Sequence, residues 1–145
     1  MNTTSKAVDR IRYLMKDEMS AVETYDKALS SIKTENVIAE LTELKTVHEE
    51  RLKTLTAMVK DLGGEAPATS GLWGAFAKIW EGGAALLGEK SIVAALEEHE
   101  IKSLADYKSD LEVFDEALHK VMFYEMMPSQ QNCYEKIEKL HASMH

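Results

Sequence analysis

The sequence predicts an all-α fold, a four-helix bundle made of two similar helix hairpins joined by a long crossover. Three observations carry this expectation: four stretches with apolar residues three and four apart, a turn-sized break between the first two, and matching residue spacings in the two halves. At 145 residues the chain has the size of one domain, taken as residues 1–145, and can bury a core without disulfides or metals. Its 25 acidic against 17 basic residues give a formal net charge of −8, which repels nucleic-acid phosphates and anionic membrane surfaces. Neither nucleic acid nor membrane is therefore expected as a partner. Cys133 is the single cysteine, so no internal disulfide is expected, and the N-terminal stretch reaches charged residues too early for a signal-peptide apolar core. No apolar run approaches the ~18 residues of a membrane span. A soluble, cytoplasmic protein is the expectation.

The first helix is expected from about Ser5 to Ile32, with Val8, Ile11, Met15, Val22, Tyr25, Leu29 and Ile32 on one face. After the polar break at Lys33 to Asn36, a second stripe runs through Leu41, Leu44, Leu52, Leu55, Val59 and Leu62 until Gly63 and Gly64 stop it. A link this short makes the two helices antiparallel neighbours. The next stretch is rich in glycine, small residues and aromatics, and reads as a crossover. Within it Leu72, Phe76, Ile79 and Trp80 fit a short helix, with Trp73 beside them. A third helix is expected from about Lys90 to Leu111 through Val93, Leu96, Leu104, Tyr107 and Leu111. The fourth runs from about Phe114 to Ala142 through Leu118, Met122, Met126, Ile137 and Leu140, and Pro128 should kink it by removing one backbone hydrogen bond.

Each stripe has a polar intruder. In helix one the heptad positions 8, 11, 15, 18, 22, 25, 29 and 32 are apolar or aromatic except for Glu18, which places a carboxylate in the core. Helix two puts His48 between Leu44 and Leu52, helix three puts Glu100 between Leu96 and Tyr107, and helix four carries Glu125 and Cys133. Antiparallel partners at one level centre on the turn between them. Glu18 and His48 centre on position 33, inside the first turn, so they face each other. Either Glu125 or Cys133 stands level with Glu100. The halves also repeat: Glu18, Tyr25 and Leu29 match Glu100, Tyr107 and Leu111, while Glu40 precedes His48 by eight residues as Glu125 precedes Cys133. A pseudo-twofold relation between the hairpins would explain both.

At these residues the chain resembles the ferritin-like superfamily, in which two helices each give a Glu and the other two each give a Glu-x-x-His motif to a dinuclear metal site. The strings DEMSAVETYDKAL, GGEAP, SGLWGAFAKIWEGGAALLG, ALEEHE and EMMPSQQ look like a bacterial ferritin-like family filed as domain of unknown function 2383. The resemblance implies that Glu18 and Glu100 match the single glutamates and His48 the first motif histidine. Lys45 stands where that motif has Glu, and Gln130 and Cys133 stand where the second has Glu and His. It further implies iron, manganese or zinc as candidate metals and a role in metal or oxidative-stress handling. An oxidase or ferroxidase needs bridging carboxylates that are missing here.

Two readings fit Glu18, His48 and Glu100. One is a residual metal site of two carboxylates and one imidazole, with Tyr25, Tyr107 and Glu40 around it and Glu125, Gln130 and Cys133 as weaker ligands. The other is a metal-free network in which His48 bridges the carboxylates inside a structural or protein-interaction bundle. His99, His119, His141 and His145 read as surface histidines, and Met122, Met126 and Met127 as core filling. Trp73, Phe76 and Trp80 suit a cap on their own bundle or a contact with a second copy in a homodimer.

Overall fold

The computed structural model describes residues 3–71 and 87–145, and every regular element among them is helical. Helix α1 spans Thr3–Leu29 and α2 spans Glu35–Asp61. Helix α3 spans Glu89–Lys108 and is followed by a 3₁₀ turn at Leu111–Val113. The fourth bundle helix is built from α4 at Glu116–Val121, a π turn at Met122–Met126 and α5 at Met127–Ser143. Four long helices in two hairpins match the expected architecture, with ends shifted by a few residues. The short helix expected around Trp73, Phe76 and Trp80, and the homodimer contact considered for it, lie outside the described residues. No helix among the described residues is long and apolar enough to cross a membrane.

Local chemistry sets the ends. The amide of Gly63 bonds the Lys60 carbonyl at 2.9 Å and that of Gly64 bonds the Val59 carbonyl at 2.9 Å, a Schellman closure that needs the left-handed φ of 81° at Gly63. Asp115 caps α4 by accepting the Leu118 amide at 2.9 Å. Pro128 has no N–H to give to the preceding turn, and the helix answers with the π turn directly before it. This turn keeps Met122 and Met126 buried and leaves Phe123, Tyr124 and Glu125 exposed.

Helix α1 packs on α2 and α3, and the fourth helix packs on α3 and α2, so the four form a closed ring of neighbours. The apolar core falls into two clusters. One, near the α1–α2 turn, includes Ala28, Ile32, Leu41, Leu44, Leu96 and Ile137. The other, toward the opposite end, includes Ile11, Leu14, Leu55, Val59, Phe114 and Met122. Between them lies a buried polar layer. Along the α1–α3 seam the Lys102 ammonium donates to buried Asp17 at 3.1 Å and to Asp106 at 2.7 Å.

A Cβ added at Gly64 would meet Val8 Cγ1 at 2.7 Å and Val59 Cγ2 at 3.1 Å, and β-branched chains are stiff at χ1. Gly64→Ala should therefore cost about 1–3 kcal/mol of overpacking in urea unfolding. Adding Val8→Ala should recover most of that loss; equal losses with and without Val8 would place the strain elsewhere.

Candidate functional site

The polar layer begins with the spacing of α1 and α2. Glu18 lies on the α1 stripe between Met15 and Tyr25, and all three are buried. On α2 the buried positions are Val37, Leu41, Leu44, His48, Arg51, Leu55 and Val59, a spacing of three or four that puts His48 and Arg51 on one face a turn apart. Helix α3 adds Glu100 and Tyr107, and α5 adds Ser129, Gln130 and Cys133. Glu18, His48, Glu100 and Gln130 are each 0% exposed.

His48 joins the hairpins. Its Nδ1 lies 2.8 Å from Glu18 Oε1 and its Nε2 lies 2.6 Å from Glu100 Oε1. An ionised carboxylate only accepts hydrogen bonds, so each of these contacts requires a proton between nitrogen and oxygen. Two protons on this line fit an imidazolium between two carboxylates, and the charges around the ring favour that form over a neutral ring beside a carboxylic acid. Burial alone would lower the His48 pKa, but the charges of Glu100 and Glu18 and their hydrogen bonds outweigh it and lift the value to about 9. Burial likewise works against ionised Glu18, and His48 and Arg51 more than offset it, bringing its pKa down to about 2. Glu100 is lowered as well, since the His48 charge and hydrogen bond overcome its burial.

Arg51 supplies the second cation. Its Nε donates to Glu18 Oε2 at 2.6 Å, Nη1 donates to Ser129 Oγ at 2.8 Å, and Nη2 donates to Gln130 Oε1. Nη1 also points at Cys133 Sγ, 3.7 Å away. Nη2 stands 2.9 Å from His48 Nδ1 and 3.4 Å from Glu18 Oε1, so with an imidazolium ring the two groups are donors converging on Glu18. Gln130 closes the layer by donating to the backbone oxygen of Glu100 at 2.9 Å and to its Oε2 at 3.0 Å. The two tyrosines cross over: Tyr25 donates to Glu100 Oε1 at 3.2 Å, and Tyr107 donates to Glu18 Oε2 at 3.2 Å. Two carboxylates thus face a guanidinium and an imidazolium, and the layer is neutral.

The structure brings together Glu18, His48, Glu100, Gln130, Cys133, Tyr25 and Tyr107. It does not bring Glu125 or Glu40 to them; both are exposed. Of the two candidates for the level of Glu100, the fourth helix presents Cys133, with Gln130 a turn before it, and the π turn leaves Glu125 facing outward. Lys45 is partly exposed and pairs with Asp26 at 2.6 Å on the outer side. His99 corrects the expectation of a surface histidine. It is 2% exposed, beside Ser103 at 3.2 Å, and burial drives its pKa down to about 4. Arg51 was the residue missed in the sequence. The three-and-four spacing lands on position 51, but apolar Leu52 next to it drew the stripe away.

A dinuclear metal centre does not fit this donor set. Its two carboxylates are already closed by protein cations, and the side chains beside them are the amide of Gln130 and the thiol of Cys133, with Lys45 turned to the outer side, so no further carboxylate is at hand to bridge two metals. His48, Glu100 and Cys133 are the one group among the described residues whose ligand atoms cluster, all within 4.8 Å of one another. Burial pushes the Cys133 thiol up to about 12, so it stays protonated beside Arg51.

Residues 6–120 match the family described as Domain of unknown function (DUF2383), a stretch that holds Glu18, His48, Arg51 and Glu100. No curated protein and no solved structure matches the chain.

Because His48 is raised to about 9 from an ordinary value of 6.5, its contribution to stability is complete below 6.5 and is lost as pH climbs through about 9. The fall in unfolding free energy across that alkaline window should shrink in His48→Gln. A variant that declines as steeply as the wild type would assign the loss to other groups.

Proposed function

We propose that this chain, which belongs to the DUF2383 family, is a ferritin-like four-helix bundle acting as a structural or protein-interaction module. In it, protein cations replace the metals of a dinuclear centre. The observation that carries this is Arg51, whose guanidinium lies in the middle of the layer and donates to Glu18, Ser129 and Gln130. A guanidinium and an imidazolium supply the positive charge that buried carboxylates require, and they do so with fixed donors instead of exchangeable ions. The reciprocal bonds Tyr25 to Glu100 and Tyr107 to Glu18 support a pseudo-twofold relation between the hairpins. Neither an oxidase nor a ferroxidase is proposed, since such chemistry needs open coordination positions and bridging carboxylates.

A network of this kind is costly to break and cheap to replace. Glu18→Leu leaves Arg51 and His48 without their shared anion and should cost about 3–5 kcal/mol. Replacing the set together, with Glu18→Leu, His48→Leu, Arg51→Met and Glu100→Leu, should recover most of that loss, because well-packed apolar residues often substitute for a complete buried ion network. Wild-type melting should meanwhile stay flat across iron, manganese and zinc titrations. A melting temperature that climbs with one of these metals, as linkage demands for a ligand of the folded state, would overturn the metal-free reading.

A further inference from the structure

Within the protein-interaction reading, on which this step rests, we propose that an exposed aromatic ladder on the fourth helix is the docking surface for an arginine-bearing basic segment of a partner protein. The π turn that keeps Met122 and Met126 in the core sends Phe123 and Tyr124 outward, 40% and 69% exposed. Their rings meet edge to face at 5.0 Å, and the His119 ring stacks on Phe123 at 5.9 Å with the planes 11° apart. A lone exposed apolar side chain means little. Large aromatics side by side in solvent leave both apolar surface and open π faces without a partner.

Charge selects the occupant. Residues 110–125 carry five carboxylates, at Asp110, Glu112, Asp115, Glu116 and Glu125, against the single ammonium of Lys120. Asp110 is held by Arg10 at 3.5 Å and Glu116 by Lys120 at 3.5 Å, whereas Glu112 and Glu125 have no ion-pair partner among the described residues. A second copy of this chain, with its formal charge of −8, would set like charges face to face here. Elsewhere the fold shows what completes such a surface. The Arg10 guanidinium carbon lies 4.7 Å from the Tyr13 ring centroid while the same guanidinium pairs with Asp110. Tyr124 offers the ring and Glu125 the carboxylate, but no lysine or arginine among the described residues lies over Tyr124 or Phe123. An arginine from outside supplies the missing cation, since its planar guanidinium stacks on an aromatic face and still donates to a neighbouring carboxylate. Lysine, a compact and strongly hydrated charge, does this less well.

The test titrates the isotopically labelled full chain, in buffer with a chelator, with a short synthetic peptide of alternating arginine and alanine and with its lysine counterpart. The expected result is saturable amide shifts confined to residues 112–128, with the arginine peptide binding more tightly than the lysine one. Phe123→Leu with Tyr124→Leu keeps apolar bulk but removes both π faces, and should weaken binding about tenfold. Glu112→Gln with Glu125→Gln should weaken it about threefold, while Glu49→Gln with Glu50→Gln, an equal charge change at exposed positions of α2, should leave it unchanged. No saturable shift, or full affinity in the double leucine variant, would overturn the inference. Shifts spread over the acidic surface, with equal losses in the two charge variants, would overturn it as unspecific attraction. Shifts at 112–128 that follow protein concentration without peptide would name a second copy as the occupant and overturn it too. The variants leave the buried layer untouched, so each of these failures leaves the metal-free bundle standing, and a failure of that reading shows in the metal titrations instead.

Discussion

The imidazolium of His48, held between a carboxylate of each hairpin, is the contact on which the bundle's geometry depends. Glu18 comes from the first hairpin and Glu100 from the second, and a buried charge on either is tolerable only with a partner in reach. Because both ring nitrogens are committed, the imidazole cannot tilt toward one carboxylate without stranding the other. Arg51 then ties α1 and α2 to α5 through Ser129 and Gln130, and Gln130 returns to α3. All four helices meet in one hydrogen-bonded layer, with an apolar cluster on each side of it. A slip of one turn between any two helices would break this layer before it disturbed much apolar packing.

Buried ion networks are weak sources of net stability, since desolvation consumes most of what Coulomb attraction returns. What such a layer supplies is uniqueness of arrangement. Leucine stripes tolerate neighbouring registers, whereas Glu18, His48 and Glu100 meet in one register only. The crossed tyrosine bonds add to this, because each phenol reaches the carboxylate on the other hairpin. Burial holds both phenols well above their ordinary pKa, so they remain neutral donors to the anions. In a metal-bearing bundle the ion would dictate the register; here donors fixed to the helices can do it.

Much of this was legible in the sequence. The heptad of α1 singles out Glu18 because every other position on it is apolar, and antiparallel levelling then pairs it with His48. The spacing from Glu18 to Tyr25 and from Glu100 to Tyr107 marked the two tyrosines that cap the layer. What resisted reading has physical causes. The charge on Arg51 argued for the surface, and Leu52 beside it offered an apolar alternative, so periodicity lost to residue type. The fourth helix was ambiguous because a π turn breaks the 3.6 period between Met122 and Met126, and only its geometry decides that Gln130 and Cys133 face inward while Glu125 does not. His99 was misplaced for the same reason as Arg51: a polar side chain on a wide buried face of α3 looks exposed when each residue is judged alone.

The central claim is that His48 is doubly protonated and shared by two carboxylates, and ring-nitrogen NMR of isotopically labelled protein tests it most directly. The account predicts that one histidine, identified by its absence in His48→Gln, keeps imidazolium shifts on both nitrogens at neutral pH and titrates near its raised value of about 9. A His48 ring that is already a neutral, singly protonated tautomer at neutral pH, with ordinary titration near 6.5, would contradict it.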